Sequence, residues 1–507
     1  MAADSQISTA LRDKHAVLHD RFGFSSFRPG QEKIVDWLIE GQHVLAVMPT
    51  GAGKSLCFQV PALVRGGLCI VVSPLVALMK DQVEGLKLDG VSAETINSSQ
   101  SREENVAIWK RVAAGEVPFL YLSPERLMDG RMLSALARLP VGLIAVDEAH
   151  CISQWGASFR PEYDALQGLR AALPDVPIGA FTATADAATQ REIAQKLFGS
   201  GAQVFVAGFD RPNIRLHVAR KDKGTQQLLD FVDSHKGESG IVYALSRKRT
   251  EALAEELTDA GHRALAYHAG LPAEERAEIQ NRFMTEPGLV ICATIAFGMG
   301  IDKPDVRFVF HADLPSTLEA YYQEIGRAGR DGEAAEAFMI FGMEDAAKRR
   351  RFIQMESNDE ARRKAEGIRL SKLVDFAEAK TCRRQALLSY FGQASQACGN
   401  CDNCLGLMPV ATPKRVARKA AQVAEAGVDE SLLQRLKALR FKLAQTRKVP
   451  AYVIFHDRVL VEMAKSKPLT EMDLGSISGV GPAKLTQFGN TFLREIAAHL
   501  EQVFIRT

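Results

Sequence analysis

The sequence holds no apolar run near the roughly 18 residues that a membrane-crossing helix needs. That predicts no membrane span and no membrane partner. Its first stretch, Met1–Asp20, is polar and charged with no apolar core, which predicts no secretory signal. Charge of one sign is scarce too: 63 Lys and Arg stand against 61 Asp and Glu, a net charge of +2. Global charge therefore does not mark a nucleic-acid partner, and any basic surface has to be local. Without an export signal, the eight cysteines do not read as a disulfide framework. Cys57, Cys69, Cys151 and Cys292 stand singly in apolar surroundings and read as buried thiols. Cys382, Cys398, Cys401 and Cys404 cluster, which argues for metal. What remains is an ordinary globular composition, 46% hydrophobic and 24% charged over 507 residues. That length allows roughly three or four domains.

The stretch Met48-Pro49-Thr50-Gly51-Ala52-Gly53-Lys54-Ser55 follows an apolar run, Val44–Val47, and precedes a segment able to continue as a helix. Its two glycines, Gly51 and Gly53, let backbone N–H groups turn inward around phosphate oxygens. Lys54 can reach the β- and γ-phosphates, and the Ser55 hydroxyl can hold Mg²⁺. The phosphates would lie at a helix N-terminus, where the dipole favours anions. The general pattern opens with Gly, a position held here by Met48. Upstream, Pro29 and Gly30 mark a loop before a helix expected over 32–39. Gln31 offers a donor and an acceptor, which suits an adenine edge.

Near-continuous apolar runs then alternate with helical stretches: 68–73, 119–122, 141–146 and 178–182, followed by 240–243, 264–267, 289–292 and 306–311. This is the pattern of parallel α/β sheets, whose ligands bind at the carboxyl ends of strands. Asp147 and Glu148 close one such run. Asp147 can hold Mg²⁺ together with Ser55, and Glu148 can accept a proton from an attacking water. Trp155, Phe159 and Tyr163 are spaced by four. That spacing fits the core face of a helix, but Gly156 and Pro161 equally fit a loop that stacks bases, with Arg160 clamping phosphate. Arg327 and Arg330 lie three apart at a helix end and share a face. Such guanidinium forks bind phosphate, although a solvated face explains an isolated pair as well.

Cys382 is followed sixteen residues later by Cys398-Gly399-Asn400-Cys401-Asp402-Asn403-Cys404. Two C-x-x-C steps sharing Cys401, completed by Cys382, make a four-thiolate set suited to structural Zn²⁺. The basic segments 348–351 and 362–364 fit a solvated face or a DNA backbone path equally. The Gly479-Val480-Gly481 turn with Lys484 fits a phosphate contact or a plain helix turn.

These segments, in this order from about Phe22 to Leu405, resemble the RecQ family of superfamily 2 DNA helicases, and the tail resembles the HRDC domain. The resemblance implies an α/β fold: two RecA-like parallel-sheet domains, then a small helical zinc module and an all-α HRDC domain. The expected boundaries are 1–207, 208–344, 345–406, a linker over 407–427, and 428–507. Arg28 and Gln31 would contact adenine. Thr50, Gly51, Gly53, Lys54, Ser55 and Asp302 would line the ATP site, with Mg²⁺ on Ser55 and Asp147. Gln323, Arg327 and Arg330 would join Lys54, Asp147 and Glu148 in hydrolysis. Trp155, Phe159 and Arg160 would sense DNA; Ala157 and Ser158 stand where relatives often carry larger polar and acidic residues.

The implied activity is ATP-driven 3′ to 5′ movement on single-stranded DNA and unwinding of 3′-tailed or branched duplexes in repair and recombination. The implied setting is a monomer in a bacterial-type cytoplasm, nucleoid-associated, with a single-stranded-DNA-binding protein as partner. Typical relatives carry a winged-helix domain between the zinc module and the HRDC domain, and about 23 residues from Leu405 to Gly427 cannot hold one. Weak unwinding by a translocase or annealing protein, and a DNA-binding scaffold with a silent ATPase, are therefore the rival expectations.

Overall fold

The apolar runs become strands buried on both faces, as a parallel sheet covered by helices requires. The computed structural model describes residues 13–74, 76–97, 100–153, 160–199, 201–298, 303–356, 360–407, 428–447 and 449–506. The first lobe carries β1 (Val44–Val47), β2 (Leu68–Val72), β3 (Ala93–Ile96), β4 (Phe119–Leu122), β5 (Val141–Val146), β6 (Ile178–Thr182) and β7 (Gln203–Val206). They form one sheet in the order β3-β4-β2-β5-β6-β1-β7, parallel throughout. Alternate residues feed opposite layers. Val47, Val72 and Val146 enter one core, while Ala46, Val71 and Ala145 enter the other.

The second lobe repeats the plan with β8 (Ile214–Arg220), β9 (Ser239–Tyr243), β10 (Ala264–Tyr267), β11 (Val290–Ala293), β12 (Val306–His311) and β13 (Ala335–Phe341). Their order is β10-β11-β9-β12-β13-β8, again parallel. Four strands were not expected from the sequence. Of these, β3 and β13 each hold a single Glu, β7 is an edge strand whose valines are half exposed, and β8 interleaves charged residues.

The zinc segment closes the free side of β8. Cys401 bridges to Leu216, Asp402 N donates to Leu216 O at 3.1 Å, and Val218 N donates to Asp402 Oδ2 at 3.0 Å. Arg383 fixes that carboxylate from behind, Nε to Oδ1 at 3.0 Å. Phe391 stacks on Phe209 in the connection between the lobes, with ring centroids 4.7 Å apart.

The C-terminal helices gather a core of their own around Leu436, Phe455, Leu460, Met463 and Phe492. Residues 451–466 form two helices, Ala451–Ile454 and Asp457–Ser466. Phe455 between them adopts extended backbone and turns its ring into that core, and its carbonyl accepts from Arg440. Leu88 of the first lobe belongs to the same core. Gly479 N donates to Gly23 O at 2.7 Å, and Lys484 Nζ lies 3.0 Å from Asp89 Oδ1. Gly23 has φ 73°, and a Cβ on it would stand 2.4 Å from Gly481 N, so the two backbones need glycine to meet. The helix Glu430–Arg447 also touches the second-lobe helix Ala273–Thr285. No described helix is long and apolar enough to cross a membrane.

Candidate active site and metal centre

In the first sheet β5, β6 and β1 are neighbours, so the loops after them meet at one carboxyl edge. The loop after β1 bends through Gly51 and Gly53, with φ 82° and 78°. Lys54 Nζ donates to Met48 O at 3.2 Å, and Ser55 immediately precedes the helix Leu56–Arg65 without a side-chain capping bond. Gln31 is buried against this loop. Its Oε1 accepts from Arg28 N at 2.8 Å, and its Nε2 donates to Ala52 O at 3.0 Å and Gly53 O at 3.1 Å. Arg28 Nη1 donates to Gly51 O at 2.5 Å. The two residues expected on the adenine side are thus tied to the phosphate loop.

After β5, Asp147 N still belongs to the sheet and donates to Val72 O at 2.8 Å. Glu148 then turns left-handed at φ 49°, a backbone state costing about 1–3 kcal/mol for such a residue. Its N–H donates to Asp147 Oδ1 at 3.0 Å, and its Oε2 lies 3.3 Å from His150 Nδ1. Tyr163 Oη donates to Asp147 O at 2.9 Å, bracing the turn. Burial and the adjacent Glu148 charge push the Asp147 carboxyl above the usual range. Burial would do the same to Glu148, but the His150 hydrogen bond and charge, with Lys54 and Arg327, hold it below that range. Burial would lower His150, yet Cys151 and Glu148 together raise it.

The second lobe supplies the facing wall. On the helix Leu318–Ile325, Gln323 Nε2 donates to Thr184 Oγ1 at 2.6 Å and lies 3.3 Å from His150 Nε2. The sequence reading put Arg327 and Arg330 on a helix end. The helix instead stops at Ile325, and both arginines fall in the turn beyond it. The carbonyls of Gly326, Ala328 and Gly329 accept from Arg211, and that of Gly329 also from Asn213, so they do not continue a helical ladder. Arg327 is buried and bonds the Gly298 carbonyl. Arg330 presents its own carbonyl to Gly51, 3.7 Å from where a Cβ would stand.

Arg160 donates through N to Cys151 O at 3.0 Å and through Nη1 to Pro74 O at 3.2 Å, joining the loops after β5 and β2. Trp155, Phe159 and Asp302 lie outside the described residues. Tyr163, noted in the sequence only for its aromatic spacing, braces the Asp147 turn. His150, Thr184 and Arg211 were not singled out from the sequence. The polar ends of β5 and β6 flagged the neighbourhood of the first two; Arg211 follows no apolar run and carries no such signal. The Gly479–Lys484 turn does not offer a phosphate site in this arrangement, because the Gly479 N–H and the Lys484 ammonium both engage the first lobe.

The sulfurs of Cys382, Cys398, Cys401 and Cys404 lie within 4.8 Å of one another. Four sulfurs on one zinc ion stand about 3.8 Å apart, so small shifts suffice. Backbone N–H groups already point at them: Cys398 N to Cys382 Sγ at 3.3 Å, Asn400 N to Cys398 Sγ at 3.3 Å, and Arg383 N to Cys401 Sγ at 3.4 Å. Such donors stabilise thiolate, the form zinc binds.

Four family models match in order: DEAD/DEAH box helicase over residues 28–193, helicase conserved C-terminal domain over 223–332, RecQ zinc-binding over 343–405, and HRDC domain over 429–496. The ATP-dependent DNA helicase RecQ of Haemophilus influenzae is 36% identical, covering 96% of this chain and 96% of its own. The chain belongs to the RecQ helicase family. The Bacillus subtilis RecQ is 32% identical over 96% of this chain and 99% of its own. These RecQ alignments run over 592 and 589 positions, longer than the 507-residue chain, so the relatives carry segments with no counterpart here. Mycobacterium smegmatis helicase Lhr, solved with single-stranded DNA and AMP-PNP, shares the fold: TM-score 0.52, 22% identity, 65% of this chain and 48% of that one. The RecQ zinc-binding match spans all four clustered cysteines, and the DEAD/DEAH match spans the phosphate loop, Asp147 and Glu148.

Proposed function

We propose that this RecQ protein hydrolyses ATP with Mg²⁺ in the cleft between its lobes, and thereby moves 3′ to 5′ on single-stranded DNA and unwinds 3′-tailed or branched duplexes. The observation carrying this reading is the Gln323 amide of the second lobe bonded to Thr184 and 3.3 Å from His150, beside Glu148 of the first. Residues from both lobes thus face one set of phosphate-handling groups. Lys54 holds the β- and γ-phosphates, and Glu148 takes the proton of the attacking water. Arg327 and Arg330 stabilise the charge that develops on the transferred phosphate. Asp147 and Glu148 repel one another in a buried place, an oxygen donor set that suits a hard divalent ion. Held by Ser55 and Asp147, Mg²⁺ would neutralise charge on the phosphate oxygens. Arg28 and Gln31 take the adenine side, Asp302 the second-lobe side, and the Trp155–Arg160 loop senses DNA, with Trp155 and Phe159 stacking on bases. The proposed setting is the bacterial-type cytoplasm, on chromosomal DNA during repair and recombination, as a monomer that meets a single-stranded-DNA-binding protein there.

A second reading, a translocase or annealing protein with little strand separation, rests on the relatives' segments that have no counterpart here. Strand displacement on a 3′-tailed duplex, run beside DNA-stimulated phosphate release, decides between them. Displaced strand with turnover supports the helicase. DNA-stimulated turnover without displacement selects the second reading, and no stimulation by DNA leaves a binding scaffold.

A further inference from the structure

Residues 207–213 carry the chain from β7 of the first sheet to β8 of the second, so they are the joint between the lobes. Arg211 in this joint is largely buried, and its guanidinium is bonded only to carbonyl oxygens among the described hydrogen bonds. Nη1 donates to Thr50 O at 3.3 Å and to Gly326 O at 3.2 Å. Nη2 donates to Ala328 O at 2.9 Å and to Gly329 O at 2.9 Å. Thr50 belongs to the phosphate loop, and the other three carbonyls flank Arg327 and lead directly into Arg330. One planar fork therefore fastens the loop that cradles phosphate to the turn that carries the arginines. Asn213 adds a second tie from the same joint, Nδ2 to Gly329 O at 2.8 Å and to Glu333 O at 2.9 Å.

The surroundings explain why this residue is arginine. The acid beside it, Asp331, is bonded to Arg307. Burial lowers the Arg211 pKa; Tyr322 and Asp331 oppose that, while Arg330 and Arg384 add to it. A guanidinium stays protonated in any such place and presents a fixed fork, whereas a lysine ammonium is a point donor that shifts its pKa when buried. The turn has little room to find another seat. A side chain at Gly326 would come within 2.9 Å of Thr50 Oγ1, and Gly329 has φ 57° with Asn213 Nδ2 2.4 Å from its would-be Cβ.

We propose that Arg211 is a positioning residue for ATP hydrolysis. It sets the distance from Arg327 and Arg330 to the phosphates over the Thr50–Ser55 loop, and its Thr50 bond is made and broken as the lobes close and part. The proposal rests on the assignment of Arg327 and Arg330 to the transferred phosphate. An arginine that only completed the hydrogen bonding of a turn would affect stability and leave turnover by the folded protein unchanged.

The test uses the full chain with ATP and a single-stranded oligonucleotide, in three variants: Arg211→Gln, Arg211→Lys and Arg211→Ala. Misplacing a catalytic group by about 1 Å costs roughly 100-fold in rate, so a DNA-stimulated kcat lowered about 100-fold is expected for Arg211→Gln. The Kd for a fluorescent ADP analogue should stay within about threefold, because Lys54 and the loop remain. Arg211→Lys, which keeps charge and stem, should fall as far. Added guanidinium should restore turnover at least about tenfold in Arg211→Ala and leave the parent unchanged. A kcat within about threefold of the parent, or rescue by lysine equal to the parent, overturns the proposal. A loss fully explained by weaker nucleotide binding or a lower melting temperature overturns it too. Arg327→Ala separates the two layers. If it retains turnover, the reading of the site fails; if it abolishes turnover while Arg211→Gln does not, only the role of Arg211 fails.

Discussion

Replacing Lys484 with Met tests how the HRDC domain is held against the first lobe. The substitution keeps most of the side-chain volume and removes the ammonium 3.0 Å from Asp89 Oδ1. The pair is mostly buried, with 13% of the lysine and 18% of the aspartate side chain exposed. Removing one partner of a buried pair costs about 3–5 kcal/mol; the residual exposure brings that to roughly 2–3 kcal/mol. At about 1.4 kcal/mol per factor of ten, docking weakens roughly 30- to 150-fold. Hydrogen exchange reads this directly. The Gly479 amide, bonded to Gly23 O, and segment 86–90 should lose protection in Lys484→Met and recover most of it in Asp89→Asn/Lys484→Met. The pH dependence has a definite sign. Burial outweighs Lys484 and raises the Asp89 pKa, so the docked state binds the proton more tightly.

 The Asp89 contribution to docking is therefore fully present below the ordinary aspartate range and lost as pH rises through the raised value, and the deficit of Lys484→Met should shrink as the solution is acidified toward that range. Unchanged exchange in the single variant, or a double variant as exposed as the single one, would refute this account.

Lys54→Ala should lower DNA-stimulated phosphate release at least about 100-fold, the scale for losing one donor to developing charge. DNA affinity in a filter or anisotropy assay should stay within about threefold, because Lys54 sits in the phosphate loop, where its Nζ donates to the Met48 carbonyl. Cys401→Ser, at a fully buried sulfur, should leave less than one zinc per chain in a chromogenic chelator assay. It should also speed proteolysis between residues 382 and 404, since a structural zinc contributes directly to folding.

Much of the site was legible because phosphate chemistry leaves local marks. Gly51, Gly53, Lys54 and Ser55 are contiguous, Asp147 and Glu148 directly end an apolar run, and the C-x-x-C steps announce their own metal. The central strands were legible for a related reason, since burial on both faces leaves β2 and β5 little room for polar residues. Edge strands lack that constraint. The burial of β7 alternates, and β8 carries charged side chains on its partly exposed positions; β13 is interior and admits a single charged residue, Glu336. What no local pattern encodes is contact between lobes. Arg211 reaches residues more than a hundred positions away, and the end of the helix at Ile325 depends on carbonyls drawn toward that guanidinium. The Gly479–Lys484 turn has the composition of a phosphate contact, and only its packing on Gly23 and Asp89 gives it another partner.

The junction between the zinc segment and β8 bears on how these chains behave in company. β8 is the outer strand of its sheet, and Leu216 and Val218 have their backbone groups occupied by Cys401 and Asp402. An outer strand with open N–H and C=O groups is a template for any passing strand. The four cysteines hold the cover in place, so the metal guards solubility as well as local order. Stripping zinc from concentrated protein should uncover that template, and chains would begin to self-associate along β8 before either ATPase lobe has unfolded.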